Sequence, residues 1–157
     1  MATKYRSLAF LALLWWVAPA SAQELRPFEG GTYQAILDAH GERPFVLVFW
    51  SIDCPPCYEE LKMLGEQLQS IPFDLVLVST DTTGSASEVR RLLTRFGLER
   101  AEAWKFSALP EQLRFEVDRT WYGELPRSYL FGTGRREAVS GALTAAALNT
   151  WLARSRQ

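Results

Sequence analysis

The stretch Phe45-Val46-Leu47-Val48-Phe49-Trp50-Ser51-Ile52-Asp53-Cys54-Pro55-Pro56-Cys57 decides how this chain is read. Its first six residues are continuously apolar and rich in β-branched and aromatic side chains, as expected of a central strand covered on both faces. Two cysteines separated by two prolines follow directly, and Pro55 suits the first turn of a helix. A thiol pair at such a strand-to-helix junction is arranged for exchange chemistry. The first sulfur meets the positive end of the helix dipole, and the second lies one turn on, within reach of a mixed disulfide. Cys54 is therefore the expected nucleophile, and Cys57, facing inward, the resolving thiol.

No third cysteine is present for a structural bridge. A loop this small gains little from cross-linking, because the entropy removed from the unfolded chain grows with loop length. The pair reads as a switch, not a staple. The rest of the chain has an ordinary globular composition, 157 residues with 48% hydrophobic and 22% charged, which fits one domain. Its formal charge is -1, and acids and bases are mixed without a basic run, so nucleic acid is not an expected partner.

Residues 1–22 read as a signal peptide and 23–157 as the domain. Lys4 and Arg6 precede an apolar run from Leu8 to Ala18, and Ala20-Ser21-Ala22 has the small-x-small pattern of a cleavage site. A retained membrane anchor is the alternative, but the run is shorter than the roughly 18 to 20 residues that span a bilayer. Cleavage leaves 15 basic against 18 acidic residues, a formal charge of -3.

Working outward, Thr32 to Ala39 predicts a short helix with Thr32 as N-cap, apolar Tyr33, Ile36 and Leu37, and Gly41 as a stop. Beyond the cysteines, Leu61, Met63, Leu64 and Leu68 supply the apolar side of a helix that Pro72 interrupts. Phe73 to Thr80 repeats the buried-strand pattern. Val89, Leu92, Leu93 and Phe96 mark a second helix, which ends at Gly97. Glu102 to Phe106 reads as a short strand, Pro110 to Trp121 as helical, and Arg127 to Phe131 as extended. Gly132-Thr133-Gly134 turns into Arg135 to Ser140, and Leu143 to Arg154 closes the chain as a helix. The alternation argues for an α/β layer fold.

Several features occur together: Phe49-Trp50 before Cys54-x-x-Cys57, Glu60 three residues further on, and Leu125-Pro126 ahead of a strand, a Gly-rich hairpin and a final helix. In these the chain resembles the thioredoxin superfamily, and most closely the exported TlpA/ResA-like thioredoxins, over nearly all of its length after residue 22. The resemblance implies a thioredoxin fold, a central mixed β-sheet flanked by helices. It implies a cis Pro126 beside the disulfide, with the Leu125 backbone free to pair with an extended substrate. Trp50 is read, from its position near the same turn, either as shielding the disulfide where substrate binds or as packing in the core. Glu60 matches an acidic residue near the resolving thiol, where a partly desolvated carboxylate could accept the Cys57 proton.

The implied activity is that of a thiol:disulfide oxidoreductase of the bacterial periplasm or cell envelope. It would reduce disulfides of exported proteins such as apocytochrome c or copper-assembly proteins and be recharged by a membrane thiol electron donor. The Cys54-Cys57 disulfide would be its redox centre, with no separate cofactor and no metal, in a monomer.

Two departures from that pattern bear on the redox poise. The family usually has an aromatic residue directly before the first cysteine; here Asp53 stands there, and its charge disfavours a neighbouring thiolate. With Cys54 as N-cap, Pro55 and Pro56 occupy the first two helical positions without an N–H, leaving only the Cys57 amide to reach a capping atom. No His or Lys between the cysteines holds the thiolate either. A poorly supported thiolate makes the dithiol less favourable and lowers the potential, so reducing or isomerising activity is expected.

Two other classes compete. Ser51-x-x-Cys54 is half of a thiol peroxidase pattern, but Leu47 occupies the position of the proline that pattern requires. A non-catalytic Cu(I) or zinc thiolate-binding module would need further ligands, and the sole histidine, His40, is expected at the surface at a helix end. Covalent haem attachment is excluded by Tyr58, where a histidine would be required. Trp121 and Tyr122 together could form an apolar landing surface for a partner.

Overall fold

The strand that organises the molecule is β2 (Phe45–Trp50), and all six of its residues are buried. Successive side chains alternate between faces, so Val46, Val48 and Trp50 enter one core layer and Phe45, Leu47 and Phe49 the other. A strand can be apolar on both faces only if helices cover both. The computed structural model, which describes residues 23–132 and 134–156, supplies them. The signal segment expected over residues 1–22 lies outside the described residues.

The elements run β1 (Leu25–Phe28), α1 (Thr32–His40), β2, α2 (Pro55–Ser70), β3 (Asp74–Ser79), α3 (Ala86–Arg95), β4 (Glu102–Phe106), α4 (Pro110–Val117), β5 (Arg127–Gly132), β6 (Arg135–Ser140) and α5 (Ala145–Ser155). The sheet order is β1-β4-β3-β2-β5-β6. β2, β3 and β4 are parallel, as are β1 and β4, whereas β5 is antiparallel to both β2 and β6. Residues from α2, α3 and α5 join the Val46 side of the sheet, and residues from α1 and α4 the Phe45 side. This is the mixed sheet flanked by helices that the resemblance implies.

Most predicted elements are present, and the differences have local causes. β1 carries no clear strand signal because Pro27 and Arg26 interrupt four residues. As an edge strand it pairs only with β4, where a missing N–H is tolerated. Thr32 does not cap α1. Gly31, at φ 85°, takes the N-cap position, while the Thr32 hydroxyl accepts from the Glu29 N–H at 3.0 Å. α4 stops at Val117, short of Trp121, because Asp118 leaves the helix and accepts from both the N–H and hydroxyl of Thr120. α5 begins at Ala145 because Thr144 caps it through the Ala147 N–H.

Gly65 sets the approach of α2 to the end of α3. A Cβ there would lie 1.8 Å from the carbonyl oxygen of Phe96, so only glycine lets these segments touch. The close approach overrides the helix cost of glycine, about 1 kcal/mol relative to alanine.

Candidate active site

β2 delivers Cys54 to the N-cap of α2, with Pro55 and Pro56 exposed on its first turn. Cys54 and Cys57 are joined as a disulfide with Cα atoms 5.3 Å apart. Cys54 is 8% exposed and Cys57 is fully covered, so attack from solvent reaches Cys54 first. No side chain caps α2. The Cys57 N–H, the one donor the prolines leave, is directed to the Cys54 carbonyl at 3.0 Å. Asp53 is exposed immediately before the pair.

The turn into Cys54 is held by a residue that sequence reasoning missed. Asp81, just past the end of β3, accepts from the Ser51 hydroxyl at 2.7 Å and the Ile52 N–H at 3.0 Å. It also accepts from the Ser79 hydroxyl at 2.7 Å. Ser51 Oγ in turn accepts from the Asp53 N–H at 3.2 Å. The available signal was an acid at the carboxyl end of the strand beside the cysteine strand, the edge of an α/β sheet where sites form.

Glu60 lies one turn beyond Cys57 and is 1% exposed, unlike its exposed neighbour Glu59. The Ser128 hydroxyl donates to its Oε1, and the Leu143 N–H donates to Oε2 at 3.0 Å. Burial pushes its pKa up, and the two hydrogen bonds only partly oppose this. A carboxyl with a raised folded pKa favours folding most below its ordinary pKa near 4.5, and that contribution is lost as pH rises through the folded value. Glu60→Gln retains an acceptor for Leu143 and, if the Ser128 hydroxyl turns, a donor to it. Urea unfolding across pH is expected to show the wild type losing stability relative to this variant above pH 4.5. A pH-independent gap would show that burial does not shift this carboxyl.

Leu125-Pro126 is a cis peptide. Continuing the β2–β5 register past Phe49 and Arg127 sets Pro126 across from Trp50. The Pro126 carbonyl accepts from the Gly141 N–H at 3.0 Å, whereas Leu125 makes no backbone hydrogen bond among the described residues. Of the two readings of Trp50 the structure takes core packing and corrects the substrate-binding one: the ring is fully buried in the core layer that contains both cysteines, so it offers no surface to substrate. Its position at the end of β2 alternates inward with Val46 and Val48, and packing takes the whole ring.

His40 also departs from expectation. It ends α1 but is 8% exposed, stacked on Phe45 with ring centroids 4.1 Å apart. Asp74 lies 3.6 Å from its Nδ1 and Glu102 3.5 Å from its Nε2, so the carboxylates face opposite ring nitrogens. Among the described residues, no three His, Cys, Asp or Glu side chains are grouped to hold a metal ion.

A sheet with β2 central, a disulfide at the start of α2 and a cis proline at the start of β5 defines the thioredoxin fold. Solved structures agree. The chain is similar to a secreted disulfide oxidoreductase of Mycobacterium tuberculosis homologous to E. coli DsbE, with 18% identity over 74% of this chain and 85% of that one and a TM-score of 0.59. It is also similar to StoA from Bacillus subtilis, with 22% identity over 71% and 83% of the two chains and a TM-score of 0.53. A thioredoxin-related protein from Neisseria meningitidis serogroup B aligns at 14% identity over 76% and 90%, with a TM-score of 0.58. No protein-family model and no curated protein sequence matches the chain. At these identities the likeness carries the fold, and the chemistry rests on the site.

Proposed function

We propose that the protein is a thiol:disulfide oxidoreductase that exchanges electrons with exported proteins through Cys54 and Cys57. The observation that carries this reading is the disulfide at the start of α2 with a buried carboxyl, Glu60, one turn beyond its inner sulfur. In the reducing direction, the Cys54 thiolate attacks a substrate disulfide. One substrate sulfur leaves as a thiolate and the other forms a mixed disulfide with Cys54. Cys57 then gives its proton to Glu60 and attacks the Cys54 sulfur, which releases the second substrate thiol and restores the internal disulfide. The Leu125 backbone would pair with the substrate beside Pro126.

The sign of the potential follows from the surroundings of Cys54. Asp53, an acid, directly precedes Cys54 in the chain, the prolines remove two donors, and the remaining amide is directed to a carbonyl. A reductase is therefore the favoured direction. On this reading its substrates are exported proteins such as apocytochrome c or copper-assembly proteins, and a membrane thiol donor recharges it in the periplasm. The chain would act as a monomer after loss of residues 1–22. No helix among the described residues is long and apolar enough to cross a membrane.

The test is the equilibrium potential of the Cys54-Cys57 pair, titrated against dithiothreitol or glutathione with thiol alkylation as readout. A value at or below that of thioredoxin, about -270 mV, is expected. One close to that of DsbA, about -120 mV, would reverse the assigned direction. Failure of the pair to cycle would leave thiolate metal binding as the better reading, and rapid peroxide consumption would favour a peroxidase.

A further inference from the structure

The strand beside β2 holds the turn that carries Cys54. β3 pairs with β2 as far as Trp50 and Ser79, so the residues after Ser79 lie alongside the turn. Thr80 donates its N–H to the Trp50 carbonyl at 2.8 Å and its hydroxyl to the same oxygen at 3.2 Å. Asp81 takes the next two residues. Its Oδ1 accepts from the Ser51 hydroxyl at 2.7 Å, and its Oδ2 accepts from the Ile52 N–H at 3.0 Å and from the fully buried Ser79 hydroxyl at 2.7 Å. Ser51 Oγ passes the restraint on by accepting from the Asp53 N–H. From the other side, the hydroxyl of Tyr58, on the first turn of α2, donates to the Ile52 carbonyl. Trp50, Ser51, Ile52 and Asp53 are thus each tied by a hydrogen bond that involves neither sulfur, and opening the disulfide leaves these partners in place.

In the dithiol form Cys54 has lost its covalent link to Cys57, and its sulfur is kept near the inner one by the chain that leads into it. A held turn leaves the sulfur little freedom to lose when the bond closes again, whereas a loose turn makes closure cost more entropy. The disulfide form is pinned by its own bond and gains less from the frame. We propose that Asp81 is a positioning residue that holds Cys54 ready to close on Cys57 and thereby lowers the potential of the pair. This rests on the oxidoreductase reading and adds a cause, outside the cysteine segment, for the reducing direction. When the pair closes, its two thiols pass two electrons and two protons to a substrate disulfide, which leaves as two thiols.

The Asp81 charge acts in the same direction, because an anion near Cys54 disfavours the thiolate. Asparagine separates the two causes. Its amide oxygen can take the place of Oδ2, where the Ile52 N–H and the Ser79 hydroxyl donate, and its NH2 the place of Oδ1, where the Ser51 hydroxyl can turn to accept. Asp81→Asn therefore keeps the frame and removes the charge, whereas Asp81→Ala removes both.

The test is the equilibrium potential of the wild type and these variants, titrated against dithiothreitol with thiol alkylation as readout, and far-UV circular dichroism to follow folding in both redox forms. Asp81→Ala is expected to close its disulfide about tenfold less favourably, a potential about 30 mV less negative, while Asp81→Asn stays within about twofold of the wild type. Ser51→Ala, which removes one of the three bonds and leaves Ile52 held, is expected to shift closure the same way by about threefold, and it carries the test if Asp81→Ala does not fold. An Asp81→Asn potential as high as that of Asp81→Ala, or of Ser51→Ala where that variant stands in, overturns positioning in favour of charge. A potential that moves in neither alanine variant overturns the role of Asp81 alone. A wild-type pair that does not cycle overturns the oxidoreductase reading, and the role of Asp81 with it.

Discussion

Replacing Cys54 with serine is expected to take disulfide exchange to the background rate, and replacing Cys57 instead is expected to leave the protein covalently attached to the disulfide it attacks. The asymmetry follows from burial. Cys54 keeps 8% of its surface and Cys57 none, so the outer sulfur begins the reaction and the inner one can only complete it. In Cys57→Ser the mixed disulfide forms by the same displacement, but no thiolate remains one turn along the helix to attack it. Non-reducing gels of a reaction with a peptide disulfide should show adducts with Cys57→Ser that disappear on adding dithiothreitol. None should appear with Cys54→Ser. Equal trapping by both variants would mean that the inner sulfur is accessible and the roles are wrongly assigned.

The second large effect concerns stability. Arg127 and Asp118 form a buried ion pair at 3.1 Å, with side chains 9% and 8% exposed, and the guanidinium Nε also donates to the Tyr129 hydroxyl at 3.1 Å. Burial raises the Tyr129 pKa to about 12, against the opposing pull of Arg127. For Asp118, burial is outweighed by hydrogen bonds from Thr120 and Arg127 and by the charge of Arg136, which together hold its pKa at about 2. Arg127→Met removes one partner and leaves the carboxylate buried, an error that costs about 3 to 5 kcal/mol. Arg136, 3.5 Å from the same oxygen, offsets part of this, so about 3 kcal/mol is expected in urea unfolding at pH 7.

The pH dependence provides a check on cause. A carboxyl whose folded pKa is depressed stabilises the fold above its ordinary pKa, near 3.8, and that contribution is lost as pH falls through about 2. The wild type is therefore expected to lose about 2 kcal/mol over that window, and Arg127→Met less, so the gap between them narrows in acid. Adding Asp118→Asn to Arg127→Met should recover part of the loss at pH 7, because the stranded charge is gone. A loss below about 1 kcal/mol, typical of exposed pairs, would show that the network is solvated and does not anchor the loop before Pro126.

What could be read from the chain alone is what neighbours in sequence decide. Six consecutive apolar residues define β2 whatever surrounds them, and prolines at the first two helical positions define where α2 starts. Two cysteines at that junction locate the disulfide on which the proposed chemistry rests. The alternation of apolar periodicities was enough for the α/β layers, and the Gly132 to Gly134 turn for the last hairpin, because backbone preference acts over a few residues.

The tertiary structure decided everything that depends on a partner far along the chain. Glu59 and Glu60 are chemically identical in sequence. Only burial in the assembled fold, where Ser128 and Leu143, 68 and 83 residues away, donate to its oxygens, raises the pKa of one of them, and those two bonds only partly oppose the rise. Asp81 is one acid among many until the sheet sets it beside Ser51 and Ile52. β1 exists because β4 supplies its hydrogen bonds, and Trp50 and His40 are buried because helices and neighbouring strands close over them. Trp121 and Tyr122, adjacent and similar, part company because Glu124 and Arg127 fix the loop that carries them. Burial and long-range hydrogen bonding are properties of the assembled layers, and desolvation, which sets the behaviour of Glu60, has no counterpart in the unfolded chain.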